Sequence, residues 1–410
     1  MMKKSVVLSA MLFAGVSTAQ AAGFQIPEMG VKAMGMGNAF TAVADDPSAN
    51  WFNPAGLSFQ EGAAVTVGGV VVLPSVDFAP NASNLNPAAT SASADKKTIV
   101  VPHTYLTIGT ASGLTAGIGI NAPFGLEMQW PTTAAFAGGA EYGRLQAVNV
   151  NGNVAFKLSD HFAVAAGVDF VDMYKVDFNG TALQQNFKGT GWGYNVAALY
   201  KSELFNAGVS YRSSVKIKSN GSSTSILGST AANAITVTMP DILNIGLAVH
   251  PTKQWTVSFD VDWVNWKKFD KLAFNYASPL LVPTGLPAPF PPAVSKSNIT
   301  VPENWKATWA LRAGAEWAYS DTMRARVGYT YDPTPIKNSE FTPLLPGNDR
   351  QAVHIGYGVD LSDQATIDLA YIFVWLMDRH QTQSTGTNAL RNGTYKTTIH
   401  LAAASLTYHF

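Results

Sequence analysis

The chain has 410 residues, of which 13% are charged; 27 Lys and Arg balance 27 Asp and Glu, and there is no cysteine. Charge at about half the ~25% usual in soluble domains is too sparse to cover the water-facing surface of so long a chain. Zero net charge without a basic run leaves no electrostatic footprint for nucleic acid, and the lack of cysteine excludes disulfides, thiolate metal sites and a Cys nucleophile.

Lys3 and Lys4 form a positive start, Val6 to Val16 an apolar stretch of signal-peptide length, and Ala19-Gln20-Ala21 a small-x-small cleavage site. Residues 1–21 are therefore expected to be a signal peptide, with the mature chain starting at Ala22 outside the inner membrane. Residues 22–62 follow without a sustained helical or strand period. Within them Pro54 lacks an N–H and biases Asn53 away from helix, so Asn53-Pro54-Ala55 predicts a rigid turn. Asp45 and Asp46 read as a helix N-cap or a salt bridge to the barrel wall; no third carboxylate or histidine stands nearby in sequence to complete a metal or catalytic pair. Met29, Met34 and Met36 suit either a pocket for variable apolar ligands or plain packing. Gly35-Met36-Gly37 lacks the third glycine and preceding strand of a dinucleotide loop.

From residue 63 the period is two. Strands are predicted near 63–78, 97–111, 113–126, 143–157, 161–178, 189–201, 205–219, 236–249, 254–276, 303–318, 322–332, 349–361, 364–379 and 394–410. In the third, Asn121-Ala122-Pro123-Phe124-Gly125 breaks the alternation; proline cannot donate to a ladder and glycine marks bulges, so a local gap in the wall is expected. In the ninth, Trp255, Val257, Phe259, Val261 and Trp263 share one face, opposite Thr256, Ser258, Asp260 and Asp262. Met323 to Tyr331 and Ala402 to Phe410 repeat the pattern. One face suits lipid and the other a wet lumen.

Periodicity alone also fits a soluble β-sandwich. The connections decide. Short polar turns at Ser112-Gly113, Ser159-Asp160, Ser202-Glu203, 251–253, Ser320-Asp321 and Ser362-Asp363 alternate with expected long loops, among them 80–95, 222–234 and 279–294. Short turns on one rim and long loops on the other belong to outer-membrane barrels, which have an even strand count. No stretch supplies the ~20 apolar residues of a membrane helix, and open sheet edges in hydrocarbon would leave backbone groups unpaired. The fold expected is an all-β transmembrane one: a 14-stranded antiparallel outer-membrane barrel over 63–410, ending on the aromatic Phe410 and plugged by an N-terminal hatch over 22–62.

The seven histidines are scattered without ligand spacing, and no G-x-S-x-G elbow appears. Neither metal, cofactor nor enzymatic activity is expected.

Several short segments carry a resemblance. Ala22-Gly23-Phe24-Gln25, Ala44-Asp45-Asp46 and Asn53-Pro54-Ala55, with Tyr211-Arg212-Ser213, Pro240-Asp241, Trp266, Trp305-Lys306 and Asp349-Arg350 further on, stand at the spacing of one family. The chain resembles the FadL-type outer-membrane transporters of long-chain fatty acids and other hydrophobic compounds. The resemblance implies passive uptake: capture at the outer side, passage to an apolar pocket near Phe24, and lateral exit beside a kinked third strand at Asn121, Pro123, Phe124 and Gly125. It places Asp45, Asp46, Asn53, Pro54 and Ala55 in the hatch motif. A lone cation in an apolar pocket would bind a carboxylate strongly. Lys306 matches a family head-group position and Arg212 lies on a neighbouring family segment, each with a lumen salt bridge as the alternative. The ligand implied is a long-chain fatty acid, with aromatic hydrocarbons or alkanes as the alternative class. The remaining partners implied are outer-membrane lipids and lipopolysaccharide, around a monomer. The loop near 180–188 is short for a capture loop while 279–294 is long and proline-rich, so the outer capture site is expected to be built differently.

Overall fold

In the computed structural model, β1 (Ala63–Pro80) pairs with β2 (Ile99–Gly109) on one side and with β14 (Gly393–His409) on the other, so the sheet closes on itself. The residues described are 23–110, 112–180, 182–283, 293–382, 384 and 386–410; the expected signal peptide lies outside them. Between the closing strands run β3 (Leu114–Asn121, resumed as Gly125–Gln129), β4 (Tyr142–Lys157), β5 (Phe162–Asn179) and β6 (Leu183–Lys201). Then come β7 (Phe205–Arg212 and Val215–Ser225), β8 (Thr230–Met239 and Ile242–Thr252) and β9 (Trp255–Val264 and Lys271–Pro283). The circuit is completed by β10 (Ala293–Pro302 and Thr308–Ala318), β11 (Met323–Asp332), β12 (Arg350–Ser362) and β13 (Ala365–Leu376). Each strand is antiparallel to the next, giving the fourteen-stranded closed barrel that the alternation predicts.

The barrel is apolar outside and polar inside. Phe259 is 47% exposed on the outer face while Asp260 beside it is 1% exposed in the lumen. Such an arrangement is stable only where the surroundings are hydrocarbon. Lumen charges compensate one another: Arg326 lies between Glu316 and Asp368, at 2.5 Å from each. On β7 to β10 the outer face turns polar above the strand breaks. On β7, Val209 and Tyr211 lie below the break and Lys216 and Lys218 above it. The lower strand halves are thus the membrane-spanning part, and the upper halves stand above it.

The six short turns gather on one rim, together with the start of β1 and the end of β14. One of the expected long loops is strand instead: residues 222–234 belong to a hairpin paired as far as Thr224↔Thr230. In the other, 279–294, Leu280–Pro283 and 293–294 are paired ends of β9 and β10, and 284–292 lie outside the described residues. Likewise β6 begins at Leu183, so residues 183–188 of the short loop expected near 180–188 are strand. These upper halves face water outside, so their outward positions carry Ser, Thr, Asn and Lys, and the apolar alternation that betrays a strand disappears.

Residues 23–62 fill the lumen. A short helix α1 (Val31–Gly35) lies against β11, β12 and β13, whereas α2 (Ala49–Phe52) and the 3-10 turn Pro54–Phe59 lie against β3 and β4, the turn also reaching β5 and β6. The approach of hatch to wall is close enough to require glycine. Gly37, with φ +66, sits against Gly328, where any Cβ would run into its amide.

Candidate ligand-binding site

The site begins where two strands part. β2 and β3 pair from Gly109↔Thr115 up to Thr104↔Ile120. Above that level Ile99 to His103 pair with β1 alone, and β3 is interrupted at 122–124. Pro123 has no N–H to give a neighbour, and the freed backbone groups turn to the hatch. Ile26 N–H donates to Pro123 O at 2.8 Å, Gly125 N–H donates to Phe24 O at 2.9 Å, and Gln25 bridges Phe124. At the top of the parting, Asp95 N–H donates to Gln129 O at 2.8 Å and Lys97 pairs with Glu127 at 2.6 Å. Beside it, Val31 and Met34 of the hatch belong to one apolar cluster with Val72, Ile99, Val101 and Ala122 of the wall.

Backbone contact with the break carries Phe24 into an aromatic box. Its ring lies 4.9 Å from Trp266, 5.1 Å from Phe269, 5.7 Å from Trp305 and 6.0 Å from Phe124, mostly edge to face. Trp266, Phe269 and Trp305 come from the breaks in β9 and β10 at 265–270 and 303–307, where irregular backbone lets bulky rings turn inward. Above the box opens a cavity of about 430 Å³, lined by Phe24, Phe269 and Trp305 with Leu126, Phe187, Leu272 and Phe274. The size falls in the range of small-molecule sites.

Polar groups share that lining, among them Gln185, Thr300, Glu303, Glu340 and Arg391. Glu303 accepts a hydrogen bond from Trp305 Nε1–H at 3.0 Å. Burial pushes its carboxyl up to about 8, against the pull of that bond and of Arg391, so it is uncharged at neutral pH. Arg391 also lines the cavity and donates to Phe341 O at 3.2 Å. Burial lowers its pKa, but a guanidinium keeps its proton in proteins. Glu340 at the same wall is half-buried and accepts from Asn304 Nδ2 at 3.1 Å. The cavity thus has an aromatic floor and a polar wall on which Arg391 is a fixed cation beside Glu303 and Glu340.

The sequence-predicted residues divide between this site and others. Phe24, Phe124 and the Pro123–Gly125 backbone converge at the break. Lys306 does not line the cavity: Trp305 takes the inward position, leaving Lys306 exposed outside, which corrects its expected place as a lumen cation. Arg212 lines a separate, polar cavity of about 20 Å³. There it pairs with Asp169, lies 4.0 Å from the Trp51 ring and donates to Trp51 O at 3.1 Å, the salt-bridge alternative.

The hatch residues hold one another. Asp45 pairs with Lys32 at 2.8 Å, within the hatch rather than to the wall, while Lys32 reaches Glu316 of β10 at 3.8 Å. Asp46 accepts from Ser48 N–H at 2.8 Å, and burial, reinforced by Asp45, pushes its carboxyl up to about 6. Asn53 accepts from Ala55 N–H at 3.1 Å, capping the turn that Pro54 starts, and donates to Thr41 O at 2.8 Å and to Ala198 O of β6 at 3.1 Å. Among the described residues no three His, Asp or Glu come together as metal ligands. Glu303 and Arg391 escape sequence reading. Glu303 opens the strand predicted near 303–318 and Arg391 stands in the link before the last strand, and nothing in the neighbours of either announces a shared cavity.

Comparison with known proteins bears on this geometry. The family model described as "Outer membrane protein transport protein (OMPP1/FadL/TodX)" matches residues 12–410. A curated relative, a long-chain fatty acid transport protein of Escherichia coli O6:H1, is 23% identical, the match covering 86% of each chain. Among solved structures, a Pseudomonas aeruginosa FadL homologue is similar with a TM-score of 0.78 at 16% identity, covering 95% of this chain and 100% of that one. The Pseudomonas putida toluene transporter TodX is similar with a TM-score of 0.70 at 17% identity, covering 96% and 100%. At such identities the structural likeness speaks for the fold alone.

Proposed function

We propose a function from one premise: the chain belongs to the OMPP1/FadL/TodX family of outer-membrane transport proteins. It is a channel of the outer membrane, not an enzyme, and it carries hydrophobic compounds across that membrane. Its preferred cargo is a long-chain fatty acid. The observation supporting this is the Arg391 guanidinium in the wall of an aromatic cavity of about 430 Å³. A hydrocarbon has no use for a buried cation, whereas a carboxylate forms a charge-assisted hydrogen bond with it.

Cargo enters the cavity tail first, with its head at Arg391 and its chain against Phe187, Phe274 and the box around Phe24. Residues 22–62 serve as the hatch. Displacement of Phe24 loosens its bond to Gly125 and the neighbouring bond from Ile26 to Pro123, and the cargo leaves sideways where β2 and β3 part, along the apolar cluster that includes Ile99, Val101 and Ala122. The hatch motif of Asp45, Asp46, Asn53, Pro54 and Ala55 keeps the remainder of the plug seated meanwhile.

The test is equilibrium binding of oleate and toluene to detergent-purified protein and to Arg391→Gln. Saturable oleate binding that weakens about tenfold or more in the variant, the loss of roughly one charge-assisted contact, with toluene unaffected, is the expected result. Oleate binding indifferent to Arg391, or toluene binding alone, would reassign the chain to hydrocarbon uptake.

A further inference from the structure

The outer surface above the membrane band carries an unmatched charge. On β6 the outward residues pass from Lys188 and Thr190 to Trp192 and Tyr194, the latter two 68% and 55% exposed, before turning aliphatic at Val196. Exposed Trp and Tyr at that level mark the headgroup boundary. Just above it stand Lys188 on β6, Lys216 and Lys218 on β7, Lys267, Lys268 and Lys271 at the β9 break, and Lys306 at the β10 break, all exposed. The ion pairs that lysines make among the described residues belong to Lys32, Lys97, Lys157 and Lys396 instead.

Register draws several of these lysines together. Thr190 faces Lys218 and Asn220 faces Lys188, so Lys188 and Lys218 are diagonal neighbours, with Lys216 two residues along the same strand. Asp172 and Asp270 share this side, and Asp241 and Glu340 stand beside it, accepting from Asn265 and Asn304 at the breaks; the seven lysines outnumber these acids and leave the face cationic. Across the barrel the same level is mixed: Lys396 is paired with Asp378 at 3.5 Å, and Asp349 accepts from Tyr331. The excess is confined to β6 through β10.

Like charges spaced this closely repel one another unless a polyanion lies among them. We infer that the β6–β10 face binds a phosphorylated glycolipid of the outer leaflet, its phosphates on Lys188, Lys216, Lys218 and Lys268 and its acyl chains along Trp192, Tyr194 and Val209. Lysine stems lie along apolar surface and lift the ammonium to the phosphate level, and juxtamembrane lysine clusters are the usual readers of anionic headgroups. Free phosphate would match the lysines but leave the aromatic band below without a role. Lys306 finds its place here, outside the lumen.

The experiment is a fluorescence titration of purified full-length protein with diphosphoryl lipid A in mixed detergent micelles. Lys216→Gln/Lys218→Gln/Lys268→Gln is compared with the corresponding triple arginine variant and with a control, Lys253→Gln/Lys337→Gln, on exposed lysines elsewhere. Folding of each is checked by heat-modifiable migration. Saturable binding is expected, weakened about tenfold or more by the glutamine triple, retained by the arginine triple and the control, and lost with dephosphorylated lipid A. Equal binding by the glutamine triple, equal binding of the dephosphorylated lipid, or complete competition by millimolar inorganic phosphate overturns the assignment. Oleate binding in the same variants reads the cavity separately, so a failure of one site is not mistaken for a failure of the other.

Discussion

The carbonyl oxygen of Phe24 accepts the amide of Gly125 at 2.9 Å, joining the first residues of the hatch to the one place where β3 breaks. The same residue supplies the aromatic ring at the floor of the cavity. A ligand that moves the ring must therefore strain the backbone bond, which couples occupancy of the cavity to the wall beside it.

Restoring strand character at the break should close the route. Pro123→Val with Gly125→Val supplies an N–H and β-branched side chains that favour continuous pairing with β2. Uptake of labelled oleate by cells carrying the double variant is expected to slow roughly tenfold, corresponding to ~1.4 kcal/mol of added barrier. Equilibrium oleate binding by the purified variant should be little changed. Normal uptake by a correctly folded double variant would remove the lateral route from consideration.

Asn53 ties three pieces together through Thr41 O, Ala198 O and Ala55 N–H while fully buried. Asn53→Ala removes the cap and strands buried carbonyls, a loss of about 2–3 kcal/mol by the usual costs of a cap and an orphaned acceptor. The strands pair independently of it, so the barrel should still show heat-modifiable migration. The plug should loosen, seen as raised ion conductance in planar bilayers and faster amide exchange over 41–59. A variant as tight as the parent would show that the turn holds its shape without this side chain.

Glu303 gives the cavity a pH dependence. Burial raises its carboxyl from 4.5 to about 8, so the folded chain holds a proton that the unfolded chain has released. Its contribution to stability is full below about 4.5, falls as pH rises and is gone past about 8. For binding, ionisation sets a carboxylate near Arg391 and repels a fatty-acid head. Oleate affinity should accordingly drop between about pH 7 and 9, Glu303→Gln should flatten that drop, and toluene should show none. A profile identical in the variant would locate the titrating group elsewhere.

Sequence reading reached the barrel because lipid imposes apolar residues at every second outward position, a constraint visible in Trp255 to Trp263 without any partner strand. It lost the upper hairpins, where the outward face meets water and Ser222 to Ser225 read like loop. Within the site, Pro123 was legible because local chemistry marks it, a proline inside a strand, whereas Phe24 was reached only through the family resemblance of Ala22-Gly23-Phe24-Gln25. Arg391 was not, since only closure of the barrel brings residue 391 to the wall shared with residue 303. Lys306 and Arg212 show the converse. Residue type and family spacing pointed to a cation, but a one-residue change of facing decides between lumen and exterior for Lys306, and Asp169, far off in sequence, claims Arg212.

That claim makes a last prediction. Arg212 is enclosed between Asp169, 1% exposed, and the ring of Trp51, whose carbonyl it also binds. Arg212→Ala would leave Asp169 as an uncompensated buried charge, a loss of about 3–5 kcal/mol for breaking one side of such a pair. Arg212→Lys should recover little, because an ammonium neither stacks flat on the indole nor reaches both acceptors in the geometry of a guanidinium. Replacing both partners, Arg212→Met with Asp169→Leu, removes the stranded charge and should restore most of the stability. The readout is the temperature at which the heat-modifiable band is lost, measured beside oleate affinity. A head-group role for Arg212 would instead appear as a fall in affinity that the double variant does not repair, at unchanged thermal stability.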